Sequence, residues 1–233
     1  MSSGEHSTRD KLLDVAEQLF AERGVDATLI GDIVQGAGQR NPSALRYHFG
    51  SRDGVLQAIL SMHLGAVEQR RAQLLAQWPE PGPGTARDAV VLIVAPLTEE
   101  LESASGRHYL QILGQMIHRF DQAQMDYISV SYPSMARAVR LMGQTIDHLP
   151  DPVVEERVRT VLRLTTSMLS ARARDLAKGG ELPLSARAFE QNLLAMATAS
   201  LTAPDRDDET REEGSVSGGQ ASPRSAAAAG LGT

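Results

Sequence analysis

The chain has 233 residues, a hydrophobic share of 42%, only 4% aromatics, no cysteine and a formal net charge of −6. That is enough apolar material for a real core in one or two domains. The lack of cysteine excludes disulfides and thiolate metal sites, as expected of a reducing, cytoplasmic setting. No apolar run approaches the roughly 18 residues of a membrane span, and the opening MSSGEHSTRD lacks the basic and apolar regions of a signal peptide.

The first predicted helix is Ser7–Arg23, with Leu12, Leu13, Val15, Ala16, Leu19 and Phe20 at helical spacing and Gly24 as its stop. Two short helices follow. Leu29–Ala37 is expected to be capped by Thr28, with Asp32 near its positive end. After a break at Gly38, a second opens at Pro42, with Asn41 as the capping side chain and proline at the first helical position. It stops at Gly50. Two short helices joined by a glycine-containing turn place the second in the DNA major groove. The window Gln39–Arg52 holds Arg40, Arg46 and Arg52 and no acid. An acidic protein with a local basic patch still binds phosphate. Half of the net charge also lies beyond Pro204, where six acids face three arginines.

Gly38, Ala44, Leu45, Tyr47, His48, Phe49, Ser51 and Arg52 resemble the signature of the TetR family of transcriptional regulators. In that family a turn glycine precedes a short recognition helix ending in an aromatic-His-Phe run, and a Ser-Lys or Ser-Arg pair opens the next helix. The resemblance covers roughly residues 7–60. The segment from Gly38 to Phe49 is one residue longer than the usual spacing, and Arg46 stands where the family usually has an aromatic.

Ser51 caps a long helix, Arg52–Trp78, which links the two parts of the chain. The run PEPGPG at Pro79–Gly84 breaks it. Thr85 then caps a helix to about Ser103 that Pro96 is expected to kink or shorten. Gly106 separates the next, Arg107–Ala123; helices follow over Ser134–Leu149, Val153–Lys178 and Leu184 or Ser185 to about Thr202. Ile128–Tyr132 is the only strand-like run and too short to found a sheet. Beyond Pro204 an acidic stretch, then Ser/Gly and an Ala run, has a composition that cannot bury a core. The fold class is therefore all-α: residues 1–50 as a three-helix DNA-binding domain, 51–203 as a helical effector-binding and dimerisation domain, and 204–233 as a disordered tail.

The candidate DNA contacts are Thr28, Gln39, Arg40, Asn41, Ser43, Ala44, Arg46, Tyr47, His48 and Arg52. Arginine suits guanine and phosphate, alanine the thymine methyl, and Tyr47 and His48 phosphate. Phe49 faces the core. His63, His108, His118 and His148 show no zinc-like spacing, and there is no HExxH, GxGxxG, GxxxxGK[ST] or GxSxG. Neither metal nor cofactor nor enzymatic activity is expected.

The resemblance also implies a small-molecule effector in the second domain, where methionines, Tyr109 and Phe120 gather. Its candidate contacts are Met62, His63, Tyr109, Leu113, Met116, Ile117, Phe120 and Met135. Two apolar stripes, Val158, Val161, Leu162, Thr165, Leu169 and Ala173, and Leu193, Met196, Ala197 and Leu201, fit either packing within the chain or a symmetric four-helix interface. The resemblance and the need to read two half-sites favour a homodimer. The expected function is a ligand-responsive repressor of a roughly palindromic double-stranded operator. The alternative is a helical ligand-binding protein or enzyme whose N-terminal motif has lost DNA binding.

Overall fold

The computed structural model describes residues 7–41, 43–78, 84–117 and 130–204. Regular structure among them is helical throughout. It comprises α1 Thr8–Arg23, α2 Ile30–Gly36, α3 Ser43–Phe49, α4 Arg52–Ala76, α5 Ala86–Thr98, a 3-10 turn Glu99–Glu102, α6 Ala104–Met116, α7 Pro133–Gln144, α8 Asp151–Lys178 and α9 Ala186–Leu201. Expectations for Pro42, most of the Pro79–Gly84 breaker, Phe120, Ile128, Ser129 and the tail beyond Pro204 lie outside the described residues. Val130 and Ser131 are helical rather than extended. No helix among the described residues is long and apolar enough to cross a membrane.

Local chemistry sets most helix ends. Ser7 accepts from the Asp10 amide at 3.2 Å, Ser51 from that of Gly54 at 3.0 Å and Ser185 from that of Ala188 at 3.2 Å. Thr85 and Asp88 form a reciprocal capping box. Each cap satisfies an amide that the first helical turn leaves without a carbonyl.

Pro96 shortens its helix as expected, because α5 ends at Thr98 and tightens into the 3-10 turn. Proline has no N–H to give the carbonyl four residues back. That carbonyl, of buried Leu92, accepts instead from Arg71 Nε of α4 at 2.9 Å. The defect in one helix thus becomes a tie to another. Gly106 does not separate two helices. It lies in the first turn of α6, where its amide donates to the N-cap Ser103 at 2.8 Å.

The described residues up to Thr202 form one compact unit. Within it, α1 packs on α2, α3 and α4, burying Leu12, Ala16, Phe20, Ile33 and Leu45 completely. α6 packs on both α1 and α8, so it touches the N-terminal helices and the helical body together. Its Gln115 completes the end of α1: Nε2 donates to the Phe20 carbonyl and Oε1 accepts from the Val25 amide, both at 3.0 Å. Gln115→Ala leaves that carbonyl and amide without partners and is expected to cost about 1–3 kcal/mol, read by urea denaturation. An unchanged midpoint would mean that water replaces the side chain.

The two stripes of α8 and α9 are mostly spent inside the chain. Val158, Val161, Thr165, Leu169 and Ala173 are buried, as are Leu193, Ala197 and Leu201. α8 turns its stripe to α6 and to α9, while α9 packs on α5 as well. Met196, together with Leu176 and Leu184, remains at the surface.

Candidate nucleic-acid interface

The site starts at the turn between α2 and α3. Gly38 has φ +69°, where an L side chain is strained, and there the chain reverses: the Gln39 amide donates to the Val34 carbonyl at 2.9 Å. Asn41 Oδ1 then accepts from the Ser43 amide at 2.9 Å, which sets the entry to α3.

Periodicity sorts the seven residues of α3. Leu45 is fully buried against α1, and Phe49, one turn on, is half-buried with the Arg9 guanidinium 5.2 Å from its ring centre. Ser43, Arg46 and Tyr47, spaced i, i+3, i+4, therefore share the outer face. Tyr47 is 86% exposed, an extreme value for a large aromatic, and His48 packs edge-on against it at 5.0 Å. Arg40 and Asn41 are exposed at the head of the helix, Ala44 is half-buried at its edge, and Gln39 donates to its neighbour Ala37 at 3.4 Å. Ser43, Arg46 and Tyr47 are exposed on this face, and no acid neutralises it in sequence.

Two of the expected contacts sit differently. Thr28 is a correction in both its roles. It is fully buried, its hydroxyl donates to the carbonyls of Gly24 at 2.8 Å and Leu19 at 3.2 Å, and Leu29 occupies the N-cap of α2 without a side-chain bond. A threonine bonded inward closes the α1–α2 corner and has no surface to offer a phosphate. Arg52 is half-buried and bridges the start of α4 to that corner: Nη1 donates to the Asp26 carbonyl at 3.2 Å, and Nε lies 3.6 Å from Asp53.

The effector candidates divide. Met62 is a correction: α4 presents it outward, 51% exposed, to a cleft of about 250 Å³ shared with Arg9, Asp10, Leu13, Asp14, Glu17 and Ile59. Its neighbour His63 points the other way, into the protein. There it stacks on Tyr109 of α6, with centroids 4.5 Å apart and planes 8° from parallel. Leu113 is buried one turn along α6, and Met116 and Ile117 are half-buried at its end. Met135 lies at the start of α7, where its amide and that of Ser134 donate to Glu68 of α4.

Tyr109 is completely buried, and its hydroxyl finds no hydrogen-bond partner among the described residues. Burial, then the neighbouring Glu100 charge, push its ionisation up, so it is a neutral phenol.

His63 is the polar centre of the body. Nε2 lies 2.6 Å from Glu17 Oε1 and Nδ1 2.8 Å from Glu100 Oε2, and Ser105 donates to the second Glu17 oxygen at 2.6 Å. Ionised carboxylates only accept, so the ring carries both protons as an imidazolium. Burial is the largest single influence and opposes that charge. The bonds and charges of Glu100 and Glu17 together outweigh it, and the pKa is pushed up to about 9. Sequence reasoning missed this cluster. One signal was present: Glu17 follows Leu13 and Ala16 and precedes Phe20 on the inward stripe of α1, so a carboxylate there needs a buried partner.

Known proteins share this architecture. Residues 12–59 match the family model for bacterial regulatory proteins, tetR family. Over 59 residues the chain is 44% identical to the HTH-type transcriptional repressor KstR2 of Rhodococcus jostii (strain RHA1), a stretch that spans 25% of this chain and 28% of that protein. A TetR-family transcriptional regulator from Bordetella parapertussis 12822 superposes with a TM-score of 0.57 at 15% identity, covering 83% of this chain and 95% of the other. The ketosteroid transcriptional regulator KstR2 of Mycobacterium tuberculosis gives 0.55 at 23%, covering 85% and 96%. These last two likenesses are likenesses of fold. Residues 12–59 thus match the DNA-binding domain of bacterial regulatory proteins of the tetR family, on a fold that TetR-family regulators share along more than four-fifths of this chain.

Proposed function

We propose that the chain is a transcriptional repressor that binds a roughly palindromic operator as a homodimer and leaves it when a small, partly apolar effector binds. The observation that carries the DNA-binding part is the outer face of α3. Ser43, Arg46 and Tyr47 point to solvent from a helix whose underside is pinned by Leu45, with Arg40 and Asn41 at its head. A rigid seven-residue helix with one basic, unpacked face is what the major groove admits. On this reading residues 1–50 read DNA. Residues 51–203 hold the effector and, through the surface that keeps Leu176, Leu184 and Met196 exposed, the second copy. The likeness to KstR2 repressors over the N-terminal residues supports repression rather than activation.

The test is selection of bound duplexes from random DNA by the purified protein at fixed salt, with Arg40→Ala/Arg46→Ala as control. An inverted repeat recovered by the wild type and lost in the control supports the reading. No enrichment, or equal enrichment in both, sinks it.

Arg46→Ala alone is expected to weaken binding to the selected duplex by roughly 1–3 kcal/mol. Helical content should not change, because the side chain touches no core. If Arg46 meets phosphate, the slope of log affinity against log salt also falls by about one. If it reads a base, the slope stays and discrimination at one position is lost.

A further inference from the structure

Two ties join α1 to the helical body, and they differ in chemistry. The Gln115 amide at the end of α1 is neutral. The other is charged. Glu17 of α1 meets His63 of α4 and Ser105 of α6, and the far side of the same imidazole holds Glu100 of the 3-10 turn. Tyr109 of α6 lies flat against the ring. Two elements of the body, α4 and α6, thus meet one buried carboxylate of α1, and the 3-10 turn holds the same imidazole from its other side.

We propose that Glu17, His63 and Glu100 form a proton-dependent latch that fixes the helix-turn-helix unit to the helical body, closed while His63 is an imidazolium and open when it is neutral. A neutral imidazole has one N–H and one lone pair. It cannot donate to both carboxylates, so losing the proton turns one of two short bonds into a repulsive contact between acceptors. Glu100 and Tyr109 hold the ring from its far edge and its face. Both lie in the contiguous stretch from the 3-10 turn to α6, which also packs on α8.

The titratable groups facing the ring among the described residues are Glu17 from α1, Glu100 from the 3-10 turn and Tyr109 from α6, with buried Arg71 of α4 acting on Tyr109. The raised His63 pKa, about 9, keeps the latch closed at neutral pH. It opens as pH rises through that value. The latch itself is a property of the protein alone. Its consequence for DNA rests on the reading above.

Hydrogen exchange of the full chain tests it without any ligand, from about pH 7 to about pH 10, with times rescaled for base-catalysed exchange. Wild type, His63→Gln and Glu100→Gln are compared. In the wild type, protection of α1 and of the α2–α3 peptides is expected to fall roughly tenfold across the upper part of this range, while α8 stays protected. Glu100→Gln removes one charge and moves the same fall to lower pH. His63→Gln, with nothing to titrate, shows no such fall.

A fall that persists in His63→Gln, no fall in the wild type, or α8 losing protection in parallel with α1 overturns the latch. Should His63→Gln not fold, the direction of the Glu100→Gln shift decides. A second arm measures affinity for a selected duplex at about pH 7.5 and about pH 9.5, with a roughly tenfold loss expected in the wild type alone. If no duplex is selected at all, the DNA-binding reading fails while the exchange arm still decides the latch.

Discussion

Replacing His63 with alanine is expected to lower the unfolding free energy by about 3–5 kcal/mol, the range for breaking a buried ion pair from one side. The loss does not come from the imidazole's packing alone. It leaves the Glu17 and Glu100 carboxylates, with side chains only 5% and 14% exposed, facing each other without a cation, beside a phenol that lacks a hydrogen-bond partner among the described residues. Urea denaturation near neutral pH measures it. A loss under about 1 kcal/mol would mean that the carboxylates relax to water or take up protons at little cost.

The pH dependence has a definite sign. The His63 pKa is about 9 in the folded chain against 6.5 for the free side chain. A group bound more tightly to its proton in the folded state contributes most below the unfolded pKa. Its share, roughly 3 kcal/mol at about 1.4 kcal/mol per unit, therefore fades between these two values and is gone above the upper one. The gap between the wild type and His63→Ala should narrow over that window, as melting temperatures at a series of pH values will read. A gap that stays constant across this window would mean that the folded chain holds no extra proton at His63.

Gly54→Ala is the second large effect. At the start of α4 the Ser51 hydroxyl caps the Gly54 amide, and the chain arrives directly from the end of α3. A Cβ on Gly54 would stand 1.9 Å from the Phe49 carbonyl oxygen. The carbonyl is backbone and a Cβ is fixed rigidly to its own backbone, so no flexible side chain can yield. Either the cap breaks or α3 shifts, and α3 is the helix that carries Arg46 and Tyr47. A loss above about 2 kcal/mol is expected, as for overpacking with no room to relax, together with loss of selective DNA binding.

Gly65→Ala, on the exposed side of the same helix with nothing within 4 Å of the new methyl, is the control. It should stabilise by about 0.5–1 kcal/mol through helix propensity. Thermal unfolding followed by circular dichroism compares the two. Equal stability of both variants would mean that the α3–α4 junction is looser than its geometry indicates.

Much of the outer face of α3 was legible beforehand because its determinants are local. Leu45 and Arg46 are neighbours in sequence, and a helix turns successive residues by about 100°; once α3 is a helix, one must face in and the other out. Asn41, Gly50 and Ser51 mark its ends through bonds and dihedrals within a few residues of themselves. Thr28 shows the limit. A hydroxyl just before a helix can cap it or turn back to a preceding carbonyl, and packing of α1 against α2 chose the second.

The amino-acid sequence by itself therefore determined the helical class, most helix ends and the direction in which α3 presents Arg46. Caps, glycine stops and apolar periodicity act over one turn of chain. Only the tertiary structure decided which polar groups share the interior. Glu17 and His63 are 46 positions apart, and His63 and Glu100 37. It also decided that Met62 faces a surface cleft while His63 faces inward, and that the stripes of α8 and α9 are covered within the chain. Those outcomes depend on which helices meet and at what rotation, and each helix offers more than one apolar face. A buried charge settles among such alternatives because it tolerates only the arrangement that brings it a partner.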